Sequence, residues 1–102
     1  MSNRINLQKD LEAVLGSENV YFQPPSGIRM LYPAVVYSLN RISATYAGNK
    51  IYNERKSYTL IIMDANPNSD ILAIILISFT HISFDRMYIK DNLYHWVCTL
   101  FY

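Results

Sequence analysis

Residues 83–102, SFDRMYIKDNLYHWVCTLFY, predict two β-strands joined by a short connection at Asp91 and Asn92. Apolar residues alternate with polar ones along both halves, which is typical of strands. The stretch holds the only Trp of the chain, its only Cys and one of its two His. We expect a closing strand pair that other parts of the chain must cover, with Phe84, Trp96, Cys98 and Leu100 holding helices to the sheet.

The polar residues of this stretch do not predict a reactive site. His95 and Cys98 lie three positions apart on one predicted strand, so their side chains point to opposite faces and form a poor nucleophile pair. His81 and His95, with Asp85 and Asp91 nearby, lack the spacing typical of zinc ligands. We expect Cys98 to be a small buried apolar residue and each His to be hydrogen-bonded in or beside a sheet. The sequence predicts no catalytic residue, no metal ligand, no cofactor and no enzyme.

Length and composition indicate one domain, residues 1–102, that meets other protein molecules. Only 17% of the residues are charged, against roughly 25% in an ordinary soluble domain. The nine Tyr suit strands and protein interfaces, where a ring with a polar tip contacts both apolar groups and water. A domain of this size is marginally stable alone, so self-association is a natural supplement.

Charge and targeting signals narrow the function classes further. Nine basic and eight acidic residues give a net charge of +1 without a run of either sign, whereas nucleic-acid binding usually requires a basic patch. Three Gly leave no Gly-rich phosphate loop. A single Cys fits a reducing compartment. With no secretory signal and no apolar run near the roughly 20 residues of a spanning helix, we expect a soluble protein made in the cytoplasm.

The first third of the chain predicts a helix and a loop. Residues 3–15 have apolar side chains at helical spacing, and Gly16 follows where a left-handed residue ends a helix. Residues 16–27 read as a loop in which Tyr21 and Phe22 are anchored aromatics. Pro24 and Pro25 cannot lie in a central strand, so we expect them to project as an arm or a rigid turn.

The middle of the chain predicts strands and a second helix. Residues 34–39 form a strand, and residues 40–48 form a long hairpin connection or a protruding strand pair. A short strand at 49–53 and a charged turn at Glu54-Arg55-Lys56 precede a central strand at 57–64, which we expect to be covered on both faces because both carry large apolar groups.

The apolar run at residues 71–77 could be a strand by periodicity alone. We favour a helix because Ser69 or Asp70 can cap its start. A helix that is apolar all round is either enclosed by the fold or contacts another subunit. The predicted fold class is therefore α+β, two helices packed on a small antiparallel sheet, in the order helix-strands-helix-strands.

A set of short motifs is spread along the chain from residue 20 onward. The motifs are Val20-Tyr21-Phe22-Gln23-Pro24-Pro25, Tyr32-Pro33-Ala34-Val35-Val36-Tyr37, Asn49-Lys50-Ile51-Tyr52, Tyr58, Asp64, Pro67-Asn68-Ser69, Ser83-Phe84-Asp85-Arg86, Tyr88, Asp91-Asn92-Leu93 and His95. This set resembles the tail terminator, or head-to-tail joining, proteins of long-tailed bacteriophages and prophages. The resemblance covers residues 3–102, and its most specific part is the phrase SFDRMY with the following DNL. Residues 71–77 depart from the family pattern, where this helix is usually more charged.

The resemblance implies a tail-terminator-like structural protein of the virion tail and neck. Copies would form a ring, expected to be a hexamer, that ends the tail tube and joins it to the head connector. The implied partners are the chain itself, the tail tube protein and the head-closure or connector protein, with DNA only passing through the pore and no membrane. Alternatives are a head-closure, connector or tail-tube subunit of the same assembly, a small nucleic-acid-binding module, or an unrelated small enzyme.

The interface residues are predicted from physical chemistry rather than from the resemblance. A ring built from one repeated heterologous contact needs two different patches on each subunit. Asp85 and Arg86 either form a local ion pair of little energy or pair between subunits, where Arg geometry fixes orientation. The candidates for contact with another subunit or the tube are Tyr21, Phe22, Arg41, Tyr46, Asp85, Arg86 and Tyr88.

Overall fold

A computed structural model describes residues 3–47 and 50–102, with the backbone alone for residues 3, 41–47 and 50–55. The sheet is five-stranded in the order β1-β2-β3-β5-β4. Strand β1 runs parallel to β2, and the other neighbours are antiparallel. In chain order the elements are α1 (Asn3–Leu15), β1 (Val20–Phe22), β2 (Ala34–Ala47), β3 (Lys50–Asp64), α2 (Ile71–Ser78), β4 (Ile82–Lys90) and β5 (Leu93–Phe101).

The predicted fold class is wrong in its sheet and in its element order. The sheet is mixed rather than antiparallel, and the chain runs helix, three strands, helix, two strands. The difference begins at β1, inside the predicted loop 16–27, where Val20 pairs with Val35 and Phe22 with Tyr37 in a parallel register. Three residues are too few for alternation to reveal a strand, and the prolines that follow mark only where it ends.

Helix α1 confirms its prediction at both ends. Leu7 and Leu11, one turn apart, are fully buried, as expected for the core face of an amphipathic helix. Gly16 has φ +78°, and its N–H donates to the carbonyl of Glu12 at 2.9 Å, so it ends the helix in the left-handed conformation. The Gln8 amide then donates to the carbonyl of Val20 at 3.0 Å and ties α1 to β1.

Helix α2 confirms the choice of helix over strand for the run 71–77. The backbone N–H of Ile71 donates to the Ser69 hydroxyl at 3.4 Å, whereas Asp70, at the N-cap, makes no side-chain capping bond. Ile75 is buried, but Ile74 is 41% and Ile77 is 84% exposed. The fold therefore does not enclose this helix. The other alternative, that its outer face contacts another subunit, stays a prediction.

Strands β2 and β3 are longer than predicted. They pair from Ala34↔Met63 to Ala47↔Lys50, so the separate strand at 49–53 and the turn at Glu54-Arg55-Lys56 are wrong. Among the described residues, β1 pairs with β2 only at 35–37 and β5 pairs with β3 only at 57–64. The rest of β2 and β3 forms a two-stranded arm. Of the two alternatives predicted for this region, the arm corresponds to the protruding strand pair and not to a long hairpin connection.

The core lies between the two helices and one face of the sheet. Its sheet residues include Tyr37 on β2, Leu60 and Ile62 on β3, and Cys98 on β5. Strand β3 is central, as predicted, but its opposite face, with Ile61 and Met63 half-buried, carries no helix in the part of the chain that the structure describes. The predicted double coverage of β3 is therefore wrong, and we call this second side the open face.

The closing strand pair confirms the prediction from residues 83–102. Asp91 and Asn92 have φ +54° and +64°, the conformation of a two-residue hairpin turn that Asp and Asn tolerate. Cys98 and Leu100 are buried, and Trp96 packs against the core. The prediction that Phe84 helps to hold the helices is wrong, because this side chain is 45% exposed.

Candidate interaction surfaces

Strand β4 is the last strand of the sheet and exposes large apolar side chains. Its outer edge pairs with no strand among residues 3–47 and 50–102. Phe84 is 45%, Met87 47% and Ile89 61% exposed. An exposed apolar edge of this kind is a template for pairing with another chain.

A β-bulge places these three side chains on one face. The register between β4 and β5 shifts between Phe84 and Arg86, which leaves Asp85 as the extra residue. Phe84 then lies opposite Cys98, Met87 opposite Trp96 and Ile89 opposite Tyr94. Cross-strand partners share a face, and Cys98 belongs to the core under the helices. Phe84, Met87 and Ile89 therefore form an apolar strip on the helix-covered side; we call it the β4 strip.

Helix α2 adds apolar surface at the same edge of the molecule. Helix α1 packs against β1 and β2, whereas α2 packs against α1 and β4. The two exposed large apolar residues of α2, Ile74 and Ile77, therefore belong to the β4 half of the molecule. An apolar surface of several exposed large side chains on a small domain marks an interaction site.

The predicted residues Asp85, Arg86 and Tyr88 lie together on the open face. The Thr99 hydroxyl donates to the Asp85 carboxylate at 2.6 Å, so Asp85 makes a local bond, although with Thr99 rather than with Arg86. The Arg86 guanidinium lies 5.9 Å from the centre of the Tyr88 ring. Tyr88 in turn stacks on His95 with ring centres 4.6 Å apart. These contacts orient the Arg86 charge, which is exposed on the surface.

Tyr21 and Phe22 are anchored aromatics, as predicted. The Phe22 ring lies 4.9 Å from the Tyr37 ring, and the Arg4 guanidinium lies 4.7 Å above it. Phe22 therefore faces the helix-covered core, which leaves less of its ring for a partner. Tyr21 points to the open face, since neighbours in a strand alternate, and its hydroxyl accepts the backbone N–H of Leu31 at 3.2 Å.

The other two predicted interface residues, Arg41 and Tyr46, have side chains outside the described residues. Their backbone lies in β2, within the two-stranded arm. Whether they contact another subunit stays a prediction.

A second exposed apolar surface lies in the connection between β1 and β2, and sequence reasoning missed it. Ile28 is 44%, Leu31 65% and Tyr32 44% exposed. We call residues 28–32, IRMLY, the IRMLY segment. It follows Gly27, and the bond from the Leu31 N–H to the Tyr21 hydroxyl holds it beside the edge strand β1, on the open-face side. The available signal was four apolar residues among five directly after a Pro-Pro-Ser-Gly turn.

A cavity of about 500 Å³ lies between α1, the end of α2 and the end of β5. Its lining includes Asp10, Phe79, His81 and Tyr102. The Tyr102 hydroxyl donates to the Asp10 carboxylate at 2.7 Å, and burial together with this bond raises the pKa of Tyr102 to about 12. The phenol is thus protonated at neutral pH and already bonded to Asp10, so Tyr102 is not a nucleophile there.

The geometry of His95 and Cys98 confirms the prediction from their spacing. Cys98 is fully buried in the helix-covered core, while His95 stacks on Tyr88 on the open face and its Nδ1 lies 3.1 Å from the carbonyl oxygen of Leu93. Burial, followed by the negative charge of Asp85, raises the pKa of Cys98 to about 11. A thiol that is neutral at pH 7 and buried is a poor nucleophile.

Two further searches concern metals and membranes. Among the described residues, no group of three or more His, Cys, Asp and Glu side chains is placed to hold a metal ion. Within the same residues, neither α1 nor α2 combines the length and the apolar character needed to cross a lipid bilayer.

Two comparisons of the sequence with known proteins give no match. No protein-family model matches the sequence, and no curated protein matches it.

Proposed function

We propose that this chain is a structural subunit that assembles with copies of itself into a ring, and that the ring ends a bacteriophage tail tube and joins it to the head connector. The observation that carries the proposal is the pair of different apolar surfaces at opposite edges of one sheet. The β4 strip lies at one edge, and the IRMLY segment lies at the other.

This arrangement supports a head-to-tail ring better than a symmetric pair. A ring with one repeated contact needs two different patches on each subunit. Strands β1 and β4 are four strand spacings apart, or about 19 Å. Patches at different edges of a sheet leave one patch of each copy free after a first contact, so further copies can add, and the assembly closes into a ring when the rotation between subunits permits it.

The charge of the chain is compatible with close approach of several copies. A net charge of +1 produces little repulsion between identical subunits, whereas a strongly charged chain would resist assembly. The apolar side chains at the two edges supply the attraction, at about 25 cal/mol for each Å² removed from water. The low share of charged residues, 17%, is consistent with a surface that is partly covered in the assembled state.

The assignment to a phage tail rests on the motif resemblance, above all on SFDRMY and DNL. In this role the chain catalyses no reaction. It is made in the cytoplasm of the host bacterium and becomes part of the virion tail and neck. Its partners are the tail tube protein, the head-closure or connector protein and further copies of itself, and DNA passes through the pore.

The first test is the size of the purified protein. Light scattering across a concentration series, followed by electron microscopy, should show closed rings of one size. A species of 11.9 kDa at every concentration, even with tube protein present, would contradict ring assembly. Long stacked tubes would favour the tube-subunit alternative.

The second test is tail assembly with and without this protein. Tails made in its absence should be over-long and variable when viewed by electron microscopy. Tails of normal length that fail to attach to heads would instead indicate a joining role without termination. Normal tails that attach normally would contradict both roles.

A further inference from the structure

We infer that the IRMLY segment of one copy adds as a short strand to the β4 edge of the next copy in the ring. The inference rests on the proposed ring and names the two surfaces that meet in it. Strand addition to a free sheet edge is a common mode of peptide recognition, in which backbone hydrogen bonds give affinity and alternate side chains give specificity.

The β4 edge has the properties of an acceptor. It is the terminal strand of the sheet, and it spans nine residues, Ile82–Lys90. The β4 strip lies along it on the helix-covered face. A strand laid beside β4 would bond to its backbone and cover Phe84, Met87 and Ile89 with one set of side chains.

The IRMLY segment has the properties of a donor strand. It carries neither helix nor strand in the subunit itself, so its backbone is not committed to a ladder. The N–H of Leu31 donates to the Tyr21 hydroxyl of the same subunit. As an added strand, the segment would pair its other backbone groups with β4 of a neighbouring copy.

The side chains of the two elements match on both faces. In an added strand, Ile28, Met30 and Tyr32 lie on one face, and Arg29 and Leu31 on the other. If the first set covers the β4 strip, Arg29 lies on the open face with Asp85, an arrangement of opposite charges. A slip of one residue would place the charged Arg29 on the apolar β4 strip. The side chains therefore favour the register in which Ile28, Met30 and Tyr32 face the β4 strip.

The bulge at Asp85 makes the β4 edge a poor partner for the β4 edge of another copy. A bulge interrupts the regular hydrogen-bonding pattern of an edge strand, so a long flat strand pairs poorly with that edge. A segment of five residues spans about 17 Å and can lie along Met87–Lys90 and the bulge with little mismatch. The acceptor therefore favours a short, irregular donor over a second β4 edge.

Disulfide cross-linking between copies tests the inference directly. Cys98 is buried, and its pKa is about 11, so a cysteine introduced at the surface is the reactive one. One protein carries Met30→Cys and a second carries Met87→Cys. Mild oxidation of the mixture should produce a cross-linked dimer at least fivefold more abundant than that from a matched control mixture of Met30→Cys and Ile5→Cys. Ile5 is 48% exposed, like Met87 at 47%, but it lies on α1, which packs against β1 and β2 rather than β4.

Charge reversal provides a second, independent readout. Arg29→Asp alone or Asp85→Arg alone should weaken association about fivefold. A mixture of the two proteins should recover part of the association, because Asp at position 29 of one copy can then meet Arg at position 85 of another. Circular dichroism checks that each variant folds, because Asp85 also bonds to Thr99.

The outcomes separate this inference from the proposed ring. Rings by light scattering, with cross-linking no greater than in the Ile5 control, would overturn strand addition and leave the ring in place. Protein that is monomeric by light scattering and does not cross-link would overturn both. Selective cross-linking with partial recovery by the charge-reversed mixture is the result that we expect.

Discussion

Replacing Cys98 by Ala should change how the stability of the protein depends on pH. The thiol is fully buried, and burial raises its pKa from 9.0 to about 11. Between these values the unfolded thiol ionises while the folded thiol keeps its proton, so the folded state binds more protons and the free energy of unfolding falls as the pH rises. This contribution is complete below pH 9 and is lost on passing pH 11.

The size of the effect follows from the shift. One pKa unit corresponds to about 1.36 kcal/mol, so the wild-type protein should lose about 1.4 kcal/mol by pH 10 through this residue. Urea unfolding at pH 7, 9 and 10 measures the loss in wild type and in Cys98→Ala at one protein concentration. Ionisation of the tyrosines contributes equally to both proteins and cancels in their difference. A difference that stays constant from pH 7 to pH 10 would refute a protonated thiol in the core.

Three further predictions concern the core, a helix end and the α2 surface. Tyr37→Phe removes a buried hydroxyl that donates to the Gln8 side chain at 2.5 Å and should lower the free energy of unfolding by about 1 kcal/mol; an unchanged urea midpoint would contradict that bond. The Cβ of Gly16→Ala meets no atom within 4 Å, but the position keeps φ +78°. The left-handed conformation alone should therefore cost about 1 kcal/mol, measured by thermal unfolding, with Lys9→Ala at an exposed position of α1 as a control. The Ile77 side chain is 84% exposed, so Ile77→Lys should leave the free energy of unfolding of dilute protein, measured with urea, unchanged to within about 0.5 kcal/mol. The same substitution should weaken the association seen by light scattering. A large loss of stability would show that Ile77 is packed in the monomer.

The elements predicted correctly are those whose signal is local. The repeat of Leu7 and Leu11 one helical turn apart, with Gly16 after the last turn, determines α1 without reference to the rest of the chain. Asp91 and Asn92 similarly determine the closing turn, because few other residues adopt positive φ at two successive positions. The opposite orientation of His95 and Cys98 also follows from strand alternation alone, since β5 carries no shift between them.

The errors arise where distant contacts decide the structure. Residues 20–22 form a strand because β2 offers them a parallel edge, and no pattern within three residues can show that. Glu54, Arg55 and Lys56 have the composition of a turn, yet they continue β3 because β2 pairs with them along the arm. In both cases pairing with a neighbouring strand overrides local preference.

The surface around Phe84 shows how one inserted residue changes the interpretation of a whole strand. By alternation alone, Phe84 and Met87, three positions apart, would face opposite sides of the sheet, and each face of β4 would carry a mixture of apolar and charged groups. The bulge at Asp85 reverses the alternation after Phe84. It therefore gathers Phe84, Met87 and Ile89 on one face, and Asp85, Arg86 and Tyr88 on the other. The three β4 residues predicted for the interface, Asp85, Arg86 and Tyr88, are the polar half of this arrangement. The apolar half, whose burial offers more binding energy, depends on a shift in register that the sequence does not display.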